Sequence, residues 1–315
     1  MPKASQIGDR PTPVTLGTAQ LGLDYGVANK SGCPDGKKAV EILKTAFDNG
    51  IRSFDTAWNY GKSESVIGDF IASEKKEPFI ISKLPDMSKA GGSDFDPVYK
   101  AVRQHVEESL KRLKVKKIQA YLLHSAKDMD SRGGNVIKSL SNLKGEGMIG
   151  VIGVSVYYPE EAKRALSIDE IGAVQIPANI FDQRFEESGV LAQMGSSGKT
   201  VFARSAFMQG IFFLKPGRLP VGLEFTKEYL KKLHAFSESE GMTIQELAVC
   251  FLKSMPEISS IVIGAESKEQ VLENIAVFNR TAPDKKLKER LSKAFSDIPL
   301  KVKLPLLWPN KPKGR

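Results

Sequence analysis

The chain has 315 residues, 41% hydrophobic and 26% charged, with a formal net charge of +9. That balance describes a water-soluble globular protein long enough to bury a large core without disulfides or metals. Its Lys residues are dispersed among Glu and Asp, and the basic stretch Lys301–Arg315 reads as a tail without the aromatic interleaving that single-stranded nucleic acid needs. Neither nucleic acid nor membrane is therefore expected as a partner.

No run of about 18 apolar residues marks a membrane span, and Met1–Val14 lacks the apolar core of a signal peptide. The two cysteines, Cys33 and Cys250, show no paired spacing, so a cytoplasmic setting is expected. Oligomeric state leaves no trace in the sequence.

In chain order, Val14–Ala19 is a short apolar run. Lys37–Asp48 has helical spacing of Ala39, Val40, Leu43, Ala46 and Phe47, with Asn49-Gly50 as the cap. Ile51–Asp55 is the second strand, Ser65–Ser73 a helix and Phe79–Lys83 the third strand. Asp96-Pro97 predicts an N-cap followed by proline at the first helical position. Gln119–His124, Ile149–Val156, Ala173–Pro177 and Thr200–Ala203 are the next four strands. Helices at Val136–Leu143, from Pro159 to about Leu166, and at Gly189–Met194 separate them. Thr243–Glu246 and Ser267–Gln270 are capping-box patterns that open helices on either side of the eighth strand, Ser259–Gly264.

Eight strand-then-helix units predict a parallel sheet closed into a (β/α)8 TIM barrel, a single α/β domain. A doubly wound open sheet is the alternative, but it announces a dinucleotide site with a glycine-rich turn after its first strand, and none occurs.

A barrel of this kind places its chemistry at the C-terminal strand ends. The second strand ends in Asp55, the third in Lys83 and the fourth in His124, with Tyr60 in the loop after the second. An acid and a base on neighbouring strands can form a purely structural rim salt bridge, and a lone histidine is more often a satisfied core residue. The conjunction of the four points to chemistry. With three histidines in the chain, and His124 alone at a strand end, a metal-dependent barrel is disfavoured and no metal site is expected.

The segment Phe54-Asp55-Thr56-Ala57-Trp58-Asn59-Tyr60-Gly61-Lys62-Ser63-Glu64 resembles the signature of the aldo-keto reductase family. Lys83 after Phe79-Ile-Ile-Ser and His124 after Tyr121-Leu-Leu match its other catalytic positions. The resemblance implies an NADP(H)-dependent oxidoreductase that reduces an aldehyde, ketone or sugar-like carbonyl. Tyr60 would be the proton donor, Lys83 would lower the phenol's pKa from about 10, Asp55 would hold Lys83, and His124 would orient the substrate oxygen. Trp58 would line the substrate pocket beside Tyr60 and His124, or else pack as a rim aromatic.

The same resemblance implies cofactor contacts at Gly17, Thr18, Ala19 and Asp55. Ser155 and Gln175 fall where the nicotinamide carboxamide is bound, although Val156 stands where an asparagine is common; Asn179 is a weaker candidate. Arg204 replaces an aromatic residue, and Ser205, Ala206 and Phe207 follow it near the diphosphate. Gly264, Ser267, Gln270 and Asn274 fall at the adenosine end, where a helix N-terminus favours an anion. Glu266 stands where an arginine often grips a 2′-phosphate, with Lys268 as a compensating cation. NADPH is the expected cofactor, with NADH possible. Alternatives are a sugar or alcohol dehydrogenase working oxidatively, or a cofactor-binding regulatory subunit.

Overall fold

The computed structural model describes residues 10–29, 31–88 and 92–309. Eight strands form a closed, all-parallel barrel in sequence order: β1 (Val14–Gly17), β2 (Ser53–Asp55), β3 (Phe79–Leu84), β4 (Ile118–Leu123), β5 (Ile149–Ser155), β6 (Ile171–Pro177), β7 (Thr200–Arg204) and β8 (Ser260–Gly264). Closure joins β8 to β1 in register, Val14 opposite Ile261 and Gly17 opposite Gly264. The expected barrel is thus the observed one, and the open-sheet alternative falls.

Two-residue periodicity sorts the strand side chains into two cores. Phe79, Ile81, Ala120, Leu122, Ala173, Phe202 and Val262 pack together with Val151 as the barrel interior. The intervening residues, including Phe54, Ile80, Tyr121, Val174 and Ile263, join the larger core beneath the helices. Continuing the inward set by one step toward the C-terminal ends gives Gly17, Asp55, Lys83, His124, Ser155, Gln175, Arg204 and Gly264. The alternation that fills the barrel therefore delivers one residue per strand to its mouth.

Several element boundaries shift by one to a few residues from the sequence reading, and three departures have physical reasons. The third long helix is Phe95–Leu113 with Asp94, not Asp96, at the N-cap. Pro97 then sits within the first turn, where its missing N–H has no acceptor to satisfy. The second helix starts at Ser63 rather than Ser65, because the Glu64 it brings into the core is satisfied by Ser82 Oγ at 2.6 Å and paired with Arg112 at 3.4 Å. Residues 301–309 are no free tail. Val302, Lys303 and Leu304 are buried, and the buried Trp308 indole donates to the Lys301 carbonyl at 3.1 Å; the remaining tail residues lie outside the described set. Among the described residues no helix is long and apolar enough to cross a membrane.

Candidate active site

The barrel mouth opens into a cavity of about 560 Å³, a size suited to small molecules. Lys83, 1% exposed, is buried on β3. Its Nζ lies 2.8 Å from each carboxylate oxygen of Asp55 and 2.8 Å from the Thr56 carbonyl, matching the three donors of an ammonium group. Burial pushes the Lys83 pKa below the ordinary lysine range; Asp55 opposes that shift and the charge on Arg204 adds to it.

Gln175 Nε2 donates to Asp55 Oδ1 at 2.7 Å, and its own Oε1 accepts from Ser155 Oγ at 3.4 Å. A polar chain thus crosses the mouth from β5 to β3. Tyr60 stands above it. Lys83 Nζ is 5.1 Å from the Tyr60 ring centroid, and the His124 ring meets Tyr60 edge-on at 5.7 Å. The four residues singled out by strand-end position converge on one point.

A close backbone approach places Tyr60. Gly61 adopts φ +55°, a conformation that favours glycine, and the Gly22 backbone packs directly against it. A Cβ at Gly22 would lie 1.9 Å from the Tyr60 carbonyl oxygen and 2.5 Å from the Ser63 nitrogen. Both atoms are backbone, so no rotamer change relieves the clash. Gly22→Ala is expected to destabilise the fold by about 1–3 kcal/mol and to lower kcat by on the order of 100-fold through displacement of the phenol. Chemical denaturation and steady-state kinetics measure the two effects, and a fully active variant would refute this placement.

Trp58 departs from expectation. It does not line the cavity. Its indole donates to Glu108 at 3.0 Å, carries the Arg112 guanidinium 4.8 Å above its ring and meets His105 edge-on at 4.9 Å. The side chain is held by helix Phe95–Leu113 outside the barrel mouth, the rim-packing alternative.

Of the residues expected on the cofactor side, Gly17, Thr18, Ala19 and Asp55 line the cavity from β1 and β2. Ser155, Gln175, Arg204, Ser205, Ala206 and Phe207 line it from β5 to the turn after β7. That turn is strained: Ser205, Met208 and Gln209 all have positive φ (65°, 48° and 58°), and such conformations gather at functional sites. Asn179 stays behind the wall, donating to the Ser205 carbonyl at 3.1 Å while its Oδ1 accepts from the Phe181 and Asp182 amides. It buttresses the turn. Among the described residues, the amide N–H groups of Ser205, Ala206 and Phe207 have no protein acceptor. Such a row of free amides is a nest for an anion.

At the far end, Gly264, Gln270 and Asn274 line the cavity and Ser267 does not. Ser267 Oγ accepts from the Gln270 amide as a helix cap, but Gln270 Oε1 accepts from the Glu266 amide rather than from the N-cap residue, so the capping box is incomplete. Glu266 lines the cavity; burial and the neighbouring Asp24 push its pKa up. Lys268 pairs with Glu41 at 3.1 Å on the outer surface and is not among the cavity-lining residues.

Several lining residues were not singled out individually in the sequence, among them Tyr25, Tyr157, Phe213 and Gln245. Tyr157 lies two residues past Ser155, in a strand-end loop where a barrel builds its site, and that position was the available signal. Tyr25 arrives through a long-range strap, in which Val27 N donates to the Gln209 carbonyl at 3.0 Å. Gln245 follows a helix cap and carries no local mark.

A barrel that gathers ionisable side chains around a ligand-sized cavity at its C-terminal mouth is an enzyme acting on small molecules. Comparison with known proteins makes that class specific. The Aldo/keto reductase family matches residues 13–293, and the chain belongs to that family of nicotinamide-dependent oxidoreductases. The uncharacterized oxidoreductase YqkF of Bacillus subtilis (strain 168) is 28% identical over 300 residues, covering 90% of this chain and 96% of its own length. The NADH-specific methylglyoxal reductase of Escherichia coli (strain K12) is 26% identical over 298 residues, covering 85% and 90%. An aldo-keto reductase from Bacillus halodurans in its holo form shares the fold with a TM-score of 0.72 at 24% identity, covering 90% of this chain and 92% of that one.

Proposed function

We propose that this protein reduces an aldehyde, ketone or sugar-like carbonyl to the alcohol, with Tyr60 as proton donor and NADH, in preference to NADPH, as reductant. The observation that carries the reading is the position of the Tyr60 ring, 5.1 Å from the Lys83 ammonium and 5.7 Å from the His124 ring. A nicotinamide cofactor, when bound, would supply the hydride that the carbonyl carbon receives. Tyr60 gives its phenolic proton to the carbonyl oxygen, becoming a phenolate that recovers a proton from solvent. Lys83 stabilises that phenolate by its charge, Asp55 fixes Lys83, and His124 orients the substrate oxygen.

The cavity suits a dinucleotide. The free amides of Ser205, Ala206 and Phe207 would hold the diphosphate, Ser155 and Gln175 the carboxamide, and Gln270 and Asn274 the adenosine. The adenosine end supports NADH. Glu266 and Glu273 both line it, no lysine or arginine does so there among the described residues, and Lys268 is engaged by Glu41. A 2′-phosphate would meet carboxylates, whereas a 2′-hydroxyl can donate to one.

The expected result is a kcat/KM for NADH about 10- to 100-fold above that for NADPH, measured as cofactor oxidation over a panel of aldehydes and ketones. A clear NADPH preference overturns the cofactor assignment. Tight NADH binding with no turnover across the panel would favour the regulatory-subunit reading.

A further inference from the structure

Among the described residues that line the cavity, Arg204 is the sole lysine or arginine. Its Nη2 donates to the Val156 carbonyl at 3.0 Å, Nη1 reaches Ser205 Oγ at 3.4 Å, and the group lies 4.4 Å over the Tyr157 ring. Two of five N–H donors are thereby used. No carboxylate of the described residues forms an ion pair with it.

The acids that face it electrostatically, Asp55, Asp182 and Glu161, are all committed elsewhere. Asp55 takes both its oxygens to Lys83. Asp182 is bound bidentately by Arg184 at 2.7 Å. Glu161 accepts the amides of Tyr157 and Tyr158 at 2.6 and 3.0 Å. The protein therefore holds a partly buried guanidinium in its cavity and commits the carboxylates around it to other partners. A charge withdrawn from water without a counter-ion is costly, and a guanidinium with free donors is suited to bidentate capture of carboxylate or phosphate.

Two anions are conceivable there, the cofactor's diphosphate and a group on the substrate. The diphosphate already has the nest of free amides at Ser205, Ala206 and Phe207. Arg204 belongs to the same rim as Tyr60 and His124, and Tyr60 is the foremost group attracting its charge. We infer that Arg204 is a substrate-anion site, and that the preferred carbonyl substrates carry a carboxylate or phosphate a few atoms from the reacting carbon. This rests on the carbonyl-reduction reading above.

The test uses matched substrates, succinic semialdehyde against butanal and glyceraldehyde 3-phosphate against glyceraldehyde, with wild type, Arg204→Lys and Arg204→Gln. The readout is the ratio of kcat/KM for the charged over the neutral member. Wild type should favour the charged member, Arg204→Gln should collapse the ratio by about 10- to 100-fold, and Arg204→Lys should restore part of it. NADH dissociation constants, from fluorescence titration of each variant, separate the two anion sources. An unchanged ratio, or a loss carried equally by both members and by NADH binding, assigns Arg204 to the cofactor and overturns the inference. Should wild type turn over none of the four, the reduction reading fails, and the anion site is read by binding alone. Succinate or inorganic phosphate should then raise the Tm of wild type but not of Arg204→Gln, and equal shifts overturn it.

Discussion

Tyr60→Phe is expected to lower kcat by about 10²- to 10⁴-fold while leaving the NADH dissociation constant within a factor of about three. The change deletes one oxygen. The backbone links that fix the residue, Tyr60 N to the Ala57 carbonyl at 3.0 Å and Ser63 N to the Tyr60 carbonyl at 3.0 Å, do not involve it. The phenylalanine ring can keep its edge contact with His124 and its place above Lys83, so the fold and the cofactor groove should persist. What disappears is the group that delivers a proton as the carbonyl oxygen gains negative charge. Loss confined to kcat, with KM little changed, would identify an interaction made in the transition state. Single-turnover oxidation of NADH, followed at its absorbance maximum, isolates that step from product release. Near-normal single-turnover rates would remove Tyr60 from the chemistry and the proposed mechanism with it.

The order of strands and the four converging residues were legible because both follow from short-range rules. Alternation of two fixes which strand residues face inward, and strand ends fix height, so Asp55, Lys83 and His124 could be placed from their neighbours in sequence. Trp58 was not legible, although it lies two residues from Tyr60. Its direction is set by Glu108 and Arg112, one helical turn apart on a helix that starts some forty residues later. The same holds for residues 301–309, whose lysines suggest a solvated tail until Trp308 is seen to be buried. At the adenosine end, local pattern exposed the unusual Glu266 but not the fate of Lys268, because Glu41 comes from a different helix. Composition likewise reveals an arginine at position 204, while its lack of an ion-pair partner is a property of three carboxylates drawn from separate segments.

Lys83→Met should be the most damaging single change to stability at the site, by about 3–5 kcal/mol, and should also abolish measurable turnover. Methionine replaces the lysine's volume, so little of the loss can be attributed to a cavity. The loss arises because the Asp55 carboxylate, 5% exposed, retains one donor from Gln175 while forfeiting both contacts from the ammonium. The Thr56 carbonyl loses its partner as well. This account predicts a specific non-additivity. Adding Asp55→Asn to Lys83→Met removes the uncompensated charge, so the double variant should recover on the order of half of the lost stability while remaining inactive, since nothing is left to favour the phenolate of Tyr60. Urea denaturation of wild type, both single variants and the double variant closes the cycle. If the two losses simply add, Asp55 and Lys83 are not coupled as a buried pair, and the electrostatic basis for Tyr60 acidity fails at its foundation. If stability returns and activity does not, the pair is shown to serve the phenol's chemistry beyond its part in holding the barrel mouth together.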